Sequence, residues 1–367
     1  MIKNIKIFSD KINIHFLNDI NDSFLNIWLR DHAKDDQSWD VRSNQRKTFT
    51  AKLNPKVYVK QAKIKDRGKS IDIFWSDLKE PVNYKSSFLM ENILKKKKHN
   101  NLNNLSSWKA KEINKYIFID FKRAISDVGF KILLKNLHKY GFSVIKNCET
   151  KISSVEKIAK KIGYVRESIF GGLWSFESNN DMADSAYTQE ELRPHTDSTY
   201  SNDAPGLQLL LCCDYDAKGG ESIMVDGFMI AEKIKKESKD LYKLLTSIDV
   251  KGQYKGDGVF LEAERPILKL NSENELVQVS FNNYDRAPFR LNNKLTLKFY
   301  DAIRKFDLIA NNKKYQWRHI LKPGELLIFN NWRILHGRGS FNGIRKMSGC
   351  YINKEDFDSS CRINKII

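Results

Sequence analysis

His195-Thr196-Asp197, inside the stretch RPHTDSTY, sets an imidazole and a carboxylate two positions apart. Residues i and i+2 of an extended segment point to the same face, so both side chains can reach one metal ion. Two imidazoles and one carboxylate are the donor set that holds Fe(II) and leaves three coordination positions open for a chelating co-substrate and O2. The third ligand must come from a distant strand. Downstream of Asp197 the chain has two histidines, His319 and His336. His319 lies in YQWRHILKPGE, just before a Pro-Gly turn. His336 ends the apolar run of NNWRILHGRGSF and is followed by a glycine, which permits close backbone approach. We take His336 as the third ligand.

Such a centre needs an acid to chelate it. 2-Oxoglutarate binds a metal by one end, and its far carboxylate fits the fork of a guanidinium better than the point charge of a lysine. Arg345, in GIRKMSGCY, opens the apolar strand after His336 and is the expected anchor. Arg338 is nearer in sequence and stays open for that role. Ser222, in GGESIMVDG, offers the same carboxylate a hydroxyl; a plain surface serine is the other reading.

These residues must be carried by strands. From Leu207 onward LQLLLCC, ESIMVDGF, ILKLNSENELVQVSFNN, ELLIFNN and WRILHG read as strands, interrupted by helices in GFMIAEKIKKESKDLYKLLTSI and LTLKFYDAIRKFDLIA. Before them, AISDVGFKILLKNLHKYG has helical spacing and a stop at Gly141. SSVEKIAKKIG opens with Ser153 and Glu156 at capping-box spacing. Many strands with few parallel-crossover signals predict a mostly β jelly roll flanked by helices. The first 90 or so residues alternate like short strands, with Asp66-Arg67-Gly68 as a hairpin turn. We therefore expect a small β-rich N-terminal domain over 1–94, a polar linker over 95–115 and the catalytic domain over 116–367.

A chain of 367 residues exceeds one small core. It has no apolar run of about 20 residues that would span a membrane. The formal net charge of +18 is spread along the chain as lysines, with one block at KKKKHNN and no finger spacing or RNA-binding signature. It reads as a solvated surface, and neither nucleic acid nor membrane is expected as a partner. Five cysteines without regular spacing suit free thiols in a reducing compartment, so the cytoplasm is expected.

HTD, GGES…VDGF, FNNYDR and NNWRILHGR…RKMSGCY, in this order, resemble the γ-butyrobetaine/trimethyllysine hydroxylase family of Fe(II)/2-oxoglutarate oxygenases. WLRDH at 28–32 resembles the opening of that family's small N-terminal domain. The resemblance implies a double-stranded β-helix (jelly-roll) catalytic domain, the metal roles of His195, Asp197 and His336, and the co-substrate role of Arg345. It also implies ascorbate as a reductant and a homodimer. The family's γ-butyrobetaine branch holds zinc by cysteines clustered after WLRD; this chain has no cysteine before Cys148, so zinc is not expected and Trp28 and Trp75 are candidates to pack the small domain. Phe170, Trp174, Tyr187 and Tyr351 match the family's aromatic cage for a trimethylammonium group, with Phe170 where tyrosine is usual. Asp184 resembles the trimethyllysine branch, where an acid meets the substrate's α-ammonium, and Asn283 is a candidate for the substrate carboxylate. The resemblance thus favours 3-hydroxylation of trimethyllysine, with γ-butyrobetaine or another trimethylammonium compound as the alternative.

Overall fold

The computed structural model describes residues 1–94, 105, 108, 113–177, 189–256 and 258–367. The expected linker, 95–115, lies mostly outside the described residues. The chain divides into two compact units, Met1–Asn100 and Asn101–Ile367.

The smaller unit holds two three-stranded antiparallel sheets, Ile2–Ile7 with Lys11–Phe16 and Asn21–Leu25, and Val59–Lys65 with Ser70–Trp75 and Val82–Lys85. Alternation puts Ile12, Ile14 and Phe16 of one sheet and Ile71, Ile73 and Trp75 of the other into one core. Trp28 stacks on His32 and Phe88, with ring centroids 4.2 and 5.7 Å away. Arg30 is buried; its Nε donates to both carboxylate oxygens of Asp77 at 2.9 and 3.2 Å, and its Nη1 donates to Ser38 Oγ at 2.8 Å. Asp77→Ala would leave that guanidinium buried without its carboxylate. Because Asp77 is itself 34% exposed, the expected loss is about 1–3 kcal/mol. Urea unfolding of the full chain checks it, and an unchanged first transition would refute this role for the pair.

The larger unit runs β1 (Phe118–Asp120), α1 (Asp127–Tyr140), β2 (Phe142–Lys146), α2 (Ile152–Ile162), β3 (Val165–Arg166), β4 (Leu173–Glu177), β5 (Leu192–His195), β6 (Leu207–Gly219), β7 (Ser222–Asp226), α3 (Gly227–Glu237), α4 (Lys239–Ser247), α5 (Asn293–Ala310), β8 (Trp317–His319), β9 (Leu326–Asn330), β10 (Ile334–Arg338), β11 (Phe341–Ile352) and α6 (Lys354–Ile363). Two hairpins, over 249–266 and 268–279, lie between α4 and α5. A larger sheet has the order β3-β11-β6-β9-β2-β1, with β4 also paired to β11; a smaller one has the order β5-β10-β7-β8. Two facing sheets of mostly antiparallel strands, flanked by helices, make the expected jelly roll.

The period of two along each strand builds its layers. On β9, Leu326 and Ile328 pack toward α1 and α2, while Leu327 and Phe329 face the interior between the sheets. On β7, Ile223 and Val225 pack toward α3, α4 and α5, leaving Ser222 and Met224 inside. The same count turns Gln208 and Leu210 of β6, His336 and Arg338 of β10, and Arg345 and Tyr351 of β11 inward.

Two local expectations change. α2 starts at Ile152 behind Lys151 with no side-chain cap, so Ser153 and Glu156 form no capping box. The buried stripe Val155, Ile158, Ala159 and Ile162 sets where that helix begins. The segment read as one helix over 227–248 breaks at Ser238, whose hydroxyl caps α4 by accepting from the Leu241 N–H. Gly141 does end α1, in the left-handed conformation.

Candidate active site

β5 and β10 are antiparallel neighbours, and their register sets His195 directly across from His336. Gly337 makes this close run possible, because a Cβ there would collide with the Leu192 carbonyl. Asp197 follows β5 and turns its carboxylate between the two rings: Oδ1 lies 3.4 Å from His195 Nε2 and 3.3 Å from His336 Nε2. Cis ligands of an octahedral ion with bonds near 2.1 Å stand about 3 Å apart, so the three donors fit one ion with small adjustments. His195 Nδ1 faces the Arg193 carbonyl at 2.8 Å, which fixes the tautomer and leaves Nε2, beside the Asp197 carboxylate, free to take a metal ion. Burial works to raise the Asp197 carboxyl, but the His336 and His195 imidazoles hold it well below the usual carboxylate range. Burial works against a proton on His195, yet the Asp197 hydrogen bond and charge hold that ring above its ordinary value; burial pushes His336 down. The same field favours a divalent cation among them.

His319 does not join this group. On β8 its Nε2 pairs with Glu325 Oε2 at 2.7 Å.

Several residues that hold the triad were not read from sequence. Asn331 is buried; its Oδ1 accepts from the Asp197 N–H at 2.8 Å, and its Nδ2 donates to the Asp197 and Pro205 carbonyls. Thr196 Oγ1 accepts from the Phe281 N–H at 2.9 Å. Tyr351, expected only as an aromatic wall, donates its hydroxyl to Asp197 Oδ2 at 2.9 Å. Tyr351→Phe keeps the ring and loses that bond. Iron affinity should fall about 10- to 100-fold, as for other partners of metal ligands, as measured by anaerobic titration; unchanged affinity would make Tyr351 a wall alone.

A cavity opens from the triad. Arg345 lines it, buried at 7% exposure, with no hydrogen bond or ion pair to any described residue. Burial lowers its pKa. A desolvated guanidinium without a carboxylate is costly, and an acid from solution relieves that cost. Ser222 lines the same cavity. So does Arg338, whose Nη2 donates to the Glu190 carbonyl at 2.8 Å and whose pKa falls to about 10 through burial and then the charge of Arg345.

Phe170, Trp174 and Tyr351 share this wall, the last two with ring centroids 5.8 Å apart. A Cβ at Gly349 would collide with the Trp174 ring, so glycine there seats the indole. Asp184 and Tyr187 lie outside the described residues. Asn283 does not face this cavity. It lines a second pocket that also touches His195, while its neighbours Asn282 and Tyr284 line the main wall together with Tyr200, Tyr254 and Asp285. Backbone over 280–287 is irregular, so alternation cannot be counted through it.

Metal donors at the mouth of a jelly roll, with an acid-seeking guanidinium in the same cavity, define an Fe(II)- and 2-oxoglutarate-dependent dioxygenase. Residues 108–351 match the model of the Taurine catabolism dioxygenase TauD, TfdA family, and the chain belongs to that family. It is 29% identical to the Trimethyllysine dioxygenase of Meyerozyma guilliermondii over 377 residues, 97% of this chain and 94% of that one. It is 29% identical to the mitochondrial Trimethyllysine dioxygenase of Gallus gallus over 351 residues, 92% of this chain and 82% of that one. The Gamma-butyrobetaine dioxygenase of a Pseudomonas species is 33% identical over 219 residues, 59% of this chain and 57% of that one. No helix among the described residues is long and apolar enough to cross a membrane.

Proposed function

We propose that this dioxygenase hydroxylates C3 of N6,N6,N6-trimethyllysine, the first step of carnitine biosynthesis. The observation that carries the reading is similarity along nearly the whole chain to proteins named for that substrate. The γ-butyrobetaine reading comes second; the similarity that favours it is higher in identity but spans little more than half of the chain.

In this reading His195, Asp197 and His336 hold Fe(II), and Arg345, with Ser222 and Arg338 beside it, takes the far carboxylate of 2-oxoglutarate. When bound, the iron and 2-oxoglutarate supply the O2-driven oxidation that places one oxygen in a C–H bond. The chain's residues bind, orient and keep out water. A trimethylammonium group donates no hydrogen bond, so Phe170, Trp174, Tyr187 and Tyr351 receive it through cation–π attraction. Asp184 meets the α-ammonium, and Asn283 takes the substrate carboxylate, with its neighbour Asn282 on the cavity wall beside it. Ascorbate keeps the iron reduced. Zinc has no thiolates in the small domain to bind. Five free thiols, four of them buried, support a reducing compartment such as the cytoplasm. The family resemblance supports a homodimer, and a β-rich domain over 1–94 joined through 95–115 to the oxygenase domain over 116–367.

Equimolar trimethyllysine and γ-butyrobetaine, incubated with enzyme, Fe(II) and 2-oxoglutarate and followed by mass spectrometry, test the choice. A charge-assisted hydrogen bond to the α-ammonium is worth about 1.5–3 kcal/mol, so trimethyllysine should be favoured at least about tenfold in kcat/KM. Faster oxygen gain by γ-butyrobetaine passes the assignment to that substrate.

A further inference from the structure

Gln208 interrupts the apolar run LQLLLCC, and it does so inside the larger sheet, where β6 lies between β11 and β9. Its side chain lines the cavity and is buried at 6% exposure. Alternation asks only that this position face inward. An apolar residue would serve, as Leu210 does two positions on. The amide makes one hydrogen bond among the described residues: Nε2 donates to the Tyr351 hydroxyl oxygen at 3.3 Å, across a register pair of β6 and β11. Oε1 is buried and meets no donor among them. A buried amide carbonyl without a partner is costly, so stability does not explain a glutamine here.

We infer that Gln208 is a positioning residue for the metal centre, acting through Tyr351 to hold Asp197 with one carboxylate oxygen engaged and the other presented to the ion. The inference rests on the reading of His195, Asp197 and His336 as iron ligands. A tyrosine hydroxyl has one proton to give. Tyr351 gives it to Asp197 Oδ2 at 2.9 Å, and an ionised carboxylate only accepts, so the direction of that bond is fixed. Toward Gln208 the Tyr351 oxygen can then only accept, and the amide must turn Nε2 to it; the reverse orientation would set two oxygens against each other. The chain of bonds from Gln208 to Tyr351 to Asp197 runs one way, and each bond polarises and strengthens the next. With Oδ2 engaged, Oδ1 stands between the Nε2 atoms of His195 and His336, at 3.4 and 3.3 Å. A carboxylate that gives one oxygen leaves three octahedral positions open. One that gave both would leave two, too few for a chelating co-substrate together with O2.

The test titrates the metal-free, full-length protein with Fe(II) alone under anaerobic conditions, without co-substrate or substrate. Wild type, Gln208→Met, Tyr351→Phe and the double variant are compared. Methionine keeps the length of the side chain and removes both amide atoms. Gln208→Met should weaken iron binding about 3- to 10-fold, the worth of one neutral hydrogen bond, and by less than Tyr351→Phe does. In the Tyr351→Phe background the same change should cost less than a factor of about two, because the hydroxyl it works through is gone. The thermal midpoint of the metal-free protein should not fall in Gln208→Met, since an unpartnered carbonyl leaves the interior. Equal losses of iron affinity in both backgrounds would mean that Gln208 acts by its own packing or contacts, and would overturn the inference. So would unchanged iron affinity in Gln208→Met. If the wild-type protein binds no Fe(II), the ligand reading itself has failed and takes this inference with it.

Discussion

His336→Ala should lower substrate hydroxylation and the coupled release of succinate by on the order of 10³-fold or more and abolish tight iron binding, whereas His319→Ala should leave both near wild type. A metal centre contributes several kcal/mol to such a reaction, and each 1.36 kcal/mol is tenfold in rate. His336 Nε2 stands 3.3 Å from Asp197 Oδ1, opposite His195 in the sheet register. His319 spends its Nε2 on Glu325. Both residues stand on the smaller sheet, so iron content after anaerobic dialysis, read beside the thermal midpoint, separates ligand loss from misfolding. An active His336→Ala beside a folded but inactive His319→Ala would move the third ligand to β8.

Arg345→Ala should raise KM for 2-oxoglutarate at least about 30-fold, since truncating one partner of a buried charge pair costs upward of 2 kcal/mol. The same substitution should not lower the thermal midpoint of the protein without co-substrate. There the guanidinium is desolvated with no acid among the described residues to meet it, so removing it removes a cost. Arg345→Lys should fall between, keeping the charge and losing the fork. If Arg338→Lys raises that KM and Arg345→Lys does not, the anchor is Arg338.

The difference between what the sequence carried and what it did not follows from periodicity. His336, Arg338 and Arg345 sit on regular strands, and counting by two from the apolar residues around them is enough to turn all three into one interior. Ser222 is found the same way. The loops are different. Asn331 follows β9 in a turn, where asparagine is ordinary, and nothing local marks that its amide clamps the backbone of Asp197, 134 positions earlier. Asn282, Tyr284 and Asp285 lie on irregular backbone, where alternation does not say which of the neighbouring side chains faces the cavity. Tyr254 enters the cavity from a hairpin whose approach depends on long-range packing. Tyr351 reads from the sequence as an aromatic wall, but an aromatic motif says nothing of where its hydroxyl goes. The small unit shows the same limit: an absent cysteine cluster is visible in the sequence, while the pairing of Arg30 with Asp77 across 47 positions is not.

The measurement closest to the central claim is the stoichiometry of one reaction mixture holding enzyme, Fe(II), 2-oxoglutarate, O2 and trimethyllysine, read together by mass spectrometry and proton NMR. The expected result is one succinate formed for each trimethyllysine that gains one oxygen, with the new hydroxyl at C3 and no product when iron or 2-oxoglutarate is left out. Product formation without 2-oxoglutarate, or succinate release that leaves trimethyllysine unchanged at any substrate concentration, would contradict it.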